Sequence, residues 1–204
     1  MSARFKSLKS LPRDLLFILV MSATLFVARA SLADHYVVPS GSMEPTVAVG
    51  DHVCVNKLAY GLRVPESEVY VLPASGPARG DVVVLDSPSD GQVLLKRVVA
   101  VPGDPVAVNG GRLTLDGVEI ATNVTSFDAL VEHLGQHTHA VSLDFGGGPD
   151  LAGTVIPADR YLVLGDNRGN SRDGRYFGLV ARGAILGRAE AVCIHDGRPV
   201  WRGL

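Results

Sequence analysis

Between two prolines the chain reads Pro39-Ser40-Gly41-Ser42-Met43-Glu44-Pro45-Thr46. Proline fixes its own φ and restricts the residue before it, so these serines sit on a constrained backbone. Gly41 lets a substrate backbone come close. Such a setting suits a serine nucleophile beside amide donors for an oxyanion. An ordinary Pro/Ser loop has the same composition, and the stretch alone does not separate the two. A serine nucleophile needs a base. None of the six histidines, His35, His52, His133, His137, His139 and His195, stands in a triad setting with an acid. Neutral lysine is the alternative, and the chain has four: Lys6, Lys9, Lys57 and Lys96. The first two belong to the N-terminal segment. Lys57 lies near a turn and reads as solvated. Lys96 lies inside Val93-Leu94-Leu95-Lys96-Arg97-Val98-Val99, where burial disfavours the ammonium. Lys96 is therefore the better base, against the competing role of a lysine that keeps a strand edge soluble.

A third polar stretch runs from Gly165 to Arg175 (GDNRGNSRDGR), directly after the apolar Tyr161–Leu164. It suits a polar network that holds an active site. A calcium loop is the rival, weakened by Arg168, Arg172 and Arg175 and by the lack of a closing Glu.

The elements that must position these residues are strands. Val occurs 29 times and Ile 5 times, while Gly and Pro together make 35 of 204 residues. Valine-rich runs cut by Gly and Pro turns describe a mostly β protein. Strand candidates are Val47–Val55, Asp81–Asp86, Val93–Val101, Arg160–Leu164 and Ala184–Ile194. Asn109-Gly110-Gly111 and Asp116-Gly117 mark hairpins. Phe127, Leu130, Val131 and Leu134 fit a helical period, but Leu134-Gly135-Gln136 also turns a hairpin, and the hairpin is favoured. The formal charge of −2 and pI near 6.3 exclude nucleic-acid binding through a bulk positive field. With 47% hydrophobic and 20% charged residues, disorder is excluded for most of the chain.

Arg4, Lys6, Lys9 and Arg13 precede an uncharged run, Leu15–Ala28. That run spans only ~21 Å as a helix, whereas Leu15–Ala33 with a snorkelling Arg29 spans ~28 Å, close to a ~30 Å hydrocarbon core. The basic flank places the N-terminus in the cytoplasm and the remainder outside. A cleavable signal with small residues at Ala28, Ala30, Ser31 and Ala33 fits equally well. Both export the rest of the chain.

Taken together, PSGSMEPT, GDHVCVNKLAYG, RGDVVVLDSP, LLKRVVAVPGD and GDNRGNSRDGRYFG resemble, in order, the motifs of bacterial type I signal peptidases. The resemblance covers about residues 12–104 and 155–190. It implies an antiparallel β catalytic domain with a smaller β-ribbon subdomain and a retained N-terminal transmembrane helix. The implied division is a basic tail over 1–14, an anchor over 15–33, a catalytic core over 34–104 and 155–204, and a variable insertion over 105–154. The implied activity is that of a Ser–Lys serine endopeptidase, acting without a cofactor or metal. It would cleave the signal peptides of exported preproteins at the outer face of the cytoplasmic phospholipid membrane. Ser42 is similar to the family's nucleophile and Lys96 to its general base. Ser40, with the N–H of Ser42, resembles the oxyanion hole. Ser171 resembles the serine that orients the lysine. Asp173 and Arg175 resemble a supporting ion pair, and Asp166 and Arg168 belong to the same box. Tyr36, Val38, Val47, Val49, Val53, Val84 and Leu95 match positions lining small pockets selective for Ala-x-Ala-like sites.

Residues 105–154 match no motif. Within them His133, His137 and His139 invite a metal site, but surface polar residues are the favoured description. Cys54 and Cys193 either pair in an exported domain or are buried small apolar residues, and the second is favoured. Three rivals remain. One is a specialised peptidase of conjugation or pilin maturation. A self-cleaving Ser–Lys regulator is more distant, since those are cytoplasmic and lack the anchor. The third is a non-catalytic anchored β-domain that binds extended peptides by strand addition. Intact Ser42 and Lys96 favour the enzyme.

Overall fold

The computed structural model describes residues 14–22, 33–63, 70–123 and 130–204. Residues 1–13 of the basic tail, residues 23–32 of the expected anchor and Phe127 lie outside them. Residues 14–22 form a helix whose Leu15, Leu16, Phe17, Ile18, Leu19, Val20 and Met21 are all exposed. Among the described residues no helix is long and apolar enough to cross a membrane.

The rest is mostly antiparallel β-structure, as expected. The main sheet places its strands in the order Ala33–Val37, His52–Asn56, Ile185–His195, Val82–Asp86, Val93–Ala100, Arg160–Leu164 and Val180–Ala181, with Arg198–Gly203 also paired to Ile185–His195. Val82–Asp86 is buried along most of its length, which explains its unbroken valine run. His52–Asn56 instead alternates between buried and half-buried positions. The expected strand over Val47–Val55 starts later, because its first part is a loop. There Gly50 has φ +88° and the Asp51 carboxylate accepts the Ala48 N–H at 3.1 Å.

Within 105–154, a four-stranded sheet comprises Leu151–Val155, Pro105–Asn109, Arg112–Leu115 and Val118–Glu119. Leu130–Leu134 and His137–Val141 form the favoured hairpin, with Gly135 at φ +62° in its turn. Ala121–Asn123 pairs beside it. Cys54 and Cys193 form a disulfide between neighbouring strands, which corrects the favoured expectation of two unpaired thiols. Alternate positions on adjacent strands brought the sulfurs together, and sequence spacing carries no such register.

Candidate active site

Ser42 lies in a short 3-10 turn, Gly41–Met43. Its loop leaves the sheet after Ala33–Val37 and returns at His52–Asn56, two strands away from Val82–Asp86. The loop reaches across the sheet because Met43 and Val47 are fully buried in an apolar cluster with Val38, Val53, Val82, Val84 and Val192. Burying two such side chains is worth about 1.5–3 kcal/mol each. The base of the loop is fixed by Asp51, which faces His195 at 2.6 Å and Arg202 at 3.1 Å.

Lys96 stands on Val93–Ala100, the strand next to Val82–Asp86. Its Nζ lies 2.8 Å from Ser42 Oγ and donates to the Leu95 carbonyl at 2.9 Å. Lys96 is 3% exposed. Burial pulls its pKa down to about 8, against the opposing pull of Asp173 and Asp166. The Oγ of the exposed Ser40 is 3.4 Å from Ser42 Oγ, at the outer limit of a hydrogen bond.

The box from Gly165 onward follows strand Arg160–Leu164, whose Leu164 pairs with Arg97. This register delivers the box beside the lysine. Gly165 is required by close approach, since a Cβ would collide with the Ser171 side chain and the Ser42 carbonyl. The next-but-one residue, Asn167, donates its N–H to that same carbonyl at 3.1 Å. Asp173 accepts from the Gly165 N–H at 3.0 Å and from Arg175 Nε and Nη2 at 2.8 Å each. Ser171 is buried beside Gly165, but its Oγ has no hydrogen-bond partner, so a bond to Lys96 is not formed in this structure.

Asp166 and Arg168 lie close in sequence but serve different partners. Asp166 receives Arg97 Nε at 2.9 Å, Arg97 Nη2 at 2.8 Å and Thr46 Oγ1 at 2.5 Å. Arg168 reaches into the hairpin and meets both oxygens of Glu132, at 2.7 and 2.5 Å. Glu132 is fully buried. Burial alone would raise its pKa, but Arg168 overcomes this and holds it at about 2.

The sequence did not single out Thr46, Arg97 or Glu132 as part of the site. Two signals were present. Adjacent cations in a strand face opposite ways, so a buried Lys96-Arg97 needs two separate sets of partners. Glu132 also occupies an inward position between Leu130 and Leu134, all three being buried. His139 departs from the favoured surface description. It is buried, with its Nε2 3.3 Å from Glu132 and 3.8 Å from Asp166. His133 is exposed and faces Thr138 at 2.9 Å. His137 lines, with His139, Thr46 and Arg97, an open cavity of ≈ 310 Å³. Among the described residues no group of three or more His, Cys, Asp or Glu is placed to hold a metal.

Of the expected pocket residues, Val38, Val47, Val53 and Val84 are buried in one cluster, and Tyr36 and Leu95 pack against it. Val49 is 57% exposed and stands apart from that cluster.

A serine hydroxyl against a buried amine of lowered pKa is an arrangement that suits a nucleophilic serine. A family model described as "Signal peptidase, peptidase S26" matches residues 12–194. The signal peptidase I of Pseudomonas aeruginosa is 38% identical over 82% of this chain and 67% of its own length. That of Pseudomonas fluorescens is 36% identical over the same shares. A probable signal peptidase I-2 of Synechocystis is 34% identical over 84% of this chain and 66% of its own. A solved signal peptidase I of Enterococcus faecalis shares 27% identity, covering 56% of this chain and 97% of that one, at a TM-score of 0.38. The chain belongs to the S26 family of signal peptidases, and it is accordingly a serine peptidase.

Proposed function

We propose that the protein is a membrane-anchored endopeptidase that removes N-terminal signal peptides from exported preproteins after Ala-x-Ala-like sites. The observation that carries this reading is the buried Lys96 Nζ at 2.8 Å from Ser42 Oγ, with the amine pKa lowered to about 8. Near neutral pH a useful fraction of Lys96 is then unprotonated and accepts the serine proton. Ser42 Oγ attacks the scissile carbonyl, and the oxyanion is met by the Ser42 N–H and the Ser40 hydroxyl. Collapse forms the acyl-enzyme, and Lys96 returns its proton to the departing amine. Water, deprotonated by Lys96, then releases the acyl group. Asp173, Arg175, Asp166 and Arg168 hold the loop behind the pair, and Ser171 swings to Lys96 when substrate is bound. Small side chains next to the cut are selected by the cluster around Val38 and Val84, with Tyr36 and Leu95 at its margin, while Val49 meets the substrate from the exposed side.

Two features support the outer face of the cytoplasmic membrane, with the N-terminus inside. The Cys54–Cys193 disulfide suits an oxidising compartment. The helix over 14–22, whose residues 15–21 are apolar and exposed, suits the start of an anchor. In this arrangement residues 1–14 are the inner tail, 15–33 the anchor, 34–104 with 155–204 the catalytic core, and 105–154 the insertion. The test uses full-length protein in detergent with an Ala-x-Ala precursor. Wild type should cleave at the expected bond, whereas Ser42→Ala and Lys96→Arg should not, because a guanidinium has no acceptor. Cleavage by Ser42→Ala would reject the assignment.

A further inference from the structure

The Ser42–Lys96 contact is a single bond between a surface loop and a sheet strand. One bond fixes a distance but leaves an angle free. The structure contains a second tie between the same two elements. Thr46 lies on the nucleophile loop, and its Oγ1 donates to Asp166 Oδ2 at 2.5 Å. Asp166 is fully buried and is gripped through both oxygens by Arg97, the residue after Lys96. Arg97 is itself anchored by donating from Nη1 to the Gly80 carbonyl at 2.7 Å. The connections close a ring: Ser42, the loop to Thr46, Asp166, Arg97, Lys96 and back to Ser42.

We propose that Thr46 is a positioning residue, whose hydroxyl holds the nucleophile loop in register with the lysine strand by bonding the Arg97-clamped Asp166. The proposal rests on the Ser–Lys reading above and adds a residue to it. The ring also has an electrostatic side. Asp166 and Asp173 are the two carboxylates that favour the charged form of Lys96. Asp166 is faced by Arg97 from the sheet, by His139 from the hairpin and by Thr46 from the loop. Asp173 is faced by Arg175. A donor to a carboxylate spreads its charge, so removing the Thr46 hydroxyl leaves Asp166 a stronger partner for the ammonium. Lys96 then titrates at higher pH.

Thr46→Val keeps the shape and removes the hydroxyl, and Thr46→Ser keeps the hydroxyl. Both are compared with wild type as full-length protein in detergent. The readouts are precursor cleavage and NMR titration of labelled lysine side chains. Only four lysines are present, and Lys96→Met identifies the signal. In Thr46→Val, kcat should fall by ~10- to 100-fold with KM changed by no more than about threefold, and the Lys96 midpoint should rise. Thr46→Ser should stay within about threefold of wild type in kcat and near its midpoint. The proposal is overturned if Thr46→Val matches wild type in both readouts. It is equally overturned if Thr46→Ser is as impaired as Thr46→Val, or if Thr46→Val lowers only the melting temperature. Should the midpoint respond as expected while wild type cleaves nothing, the ring stands and the peptidase reading falls.

Discussion

Lys96 is held in a position that favours function over stability. Burial disfavours its ammonium, and the nearby Asp173 and Asp166 only partly offset this. Because the folded pKa lies below the unfolded one, the folded state binds fewer protons between about pH 8 and 10.5. Stability therefore rises with pH across that window, and the cost is fully present below it. The gap from 10.5 to about 8 corresponds to about 3 kcal/mol. Lys96→Met should thus be inactive yet more stable than wild type at pH 7, by up to about 3 kcal/mol. That advantage should shrink as the pH is raised from 8 towards 10.5. Urea titrations at several pH values check it, and a Lys96→Met variant less stable than wild type at pH 7 would contradict the burial argument. In wild type the cleavage rate should climb through about pH 8 and then level off. Lys57→Ala should cleave normally, since Lys57 pairs with Asp34 at 2.9 Å on the neighbouring strand.

Among the elements, the hairpin Leu130–Val141 is the one whose importance was least visible in the sequence. Its Glu132 neutralises the buried Arg168, so the hairpin is bound to the Gly165–Arg175 segment through charge. Removing one partner of such a pair strands the other and costs about 3–5 kcal/mol. Glu132→Ala should show a loss of that size in chemical denaturation. A loss below about 1 kcal/mol would mean that water reaches Arg168 freely. The Glu132 pKa is lowered from 4.5 to about 2, so its contribution is present above pH 4.5 and lost as pH falls through about 2. Strands that were legible, such as Arg160–Leu164, owe this to short apolar runs bounded by turn residues. The hairpin was legible through Gly135. What escaped were contacts between distant segments: Thr46 with Asp166, Arg168 with Glu132, Cys54 with Cys193. No local periodicity encodes a pairing across 139 residues, the separation of the two cysteines. The contact of Ser42 with Lys96 was expected for another reason. A serine loop bracketed by prolines and a lysine inside an apolar strand both stand out locally, whereas a supporting carboxylate looks like any other.

At the scale of the molecule, the disulfide joins His52–Asn56 to Ile185–His195 and so links the two ends of the main sheet's chain. Closing so long a loop limits the unfolded chain and is worth about 2–4 kcal/mol in typical proteins. Replacing both Cys54 and Cys193 by Ser should lower stability by that amount and leave kcat nearly unchanged, because neither sulfur belongs to the Ser42–Lys96 ring. Equal denaturation curves with and without reductant would remove the disulfide from the list of stabilising features.

The strand order has a consequence in time. Ile185–His195, almost the last segment of the chain, lies between His52–Asn56, where the serine loop ends, and Val82–Asp86, which flanks the lysine strand. Until that segment arrives, the two sides of the sheet share no neighbouring strand, and the serine loop meets the lysine strand through Thr46, Asp166 and Arg97 and through the packing of Met43 and Val47. A chain synthesised from its N-terminus therefore carries Ser42 and Lys96 well before the strand that joins their two sides of the sheet. The frame around the pair therefore closes last, when nearly the whole chain has been made.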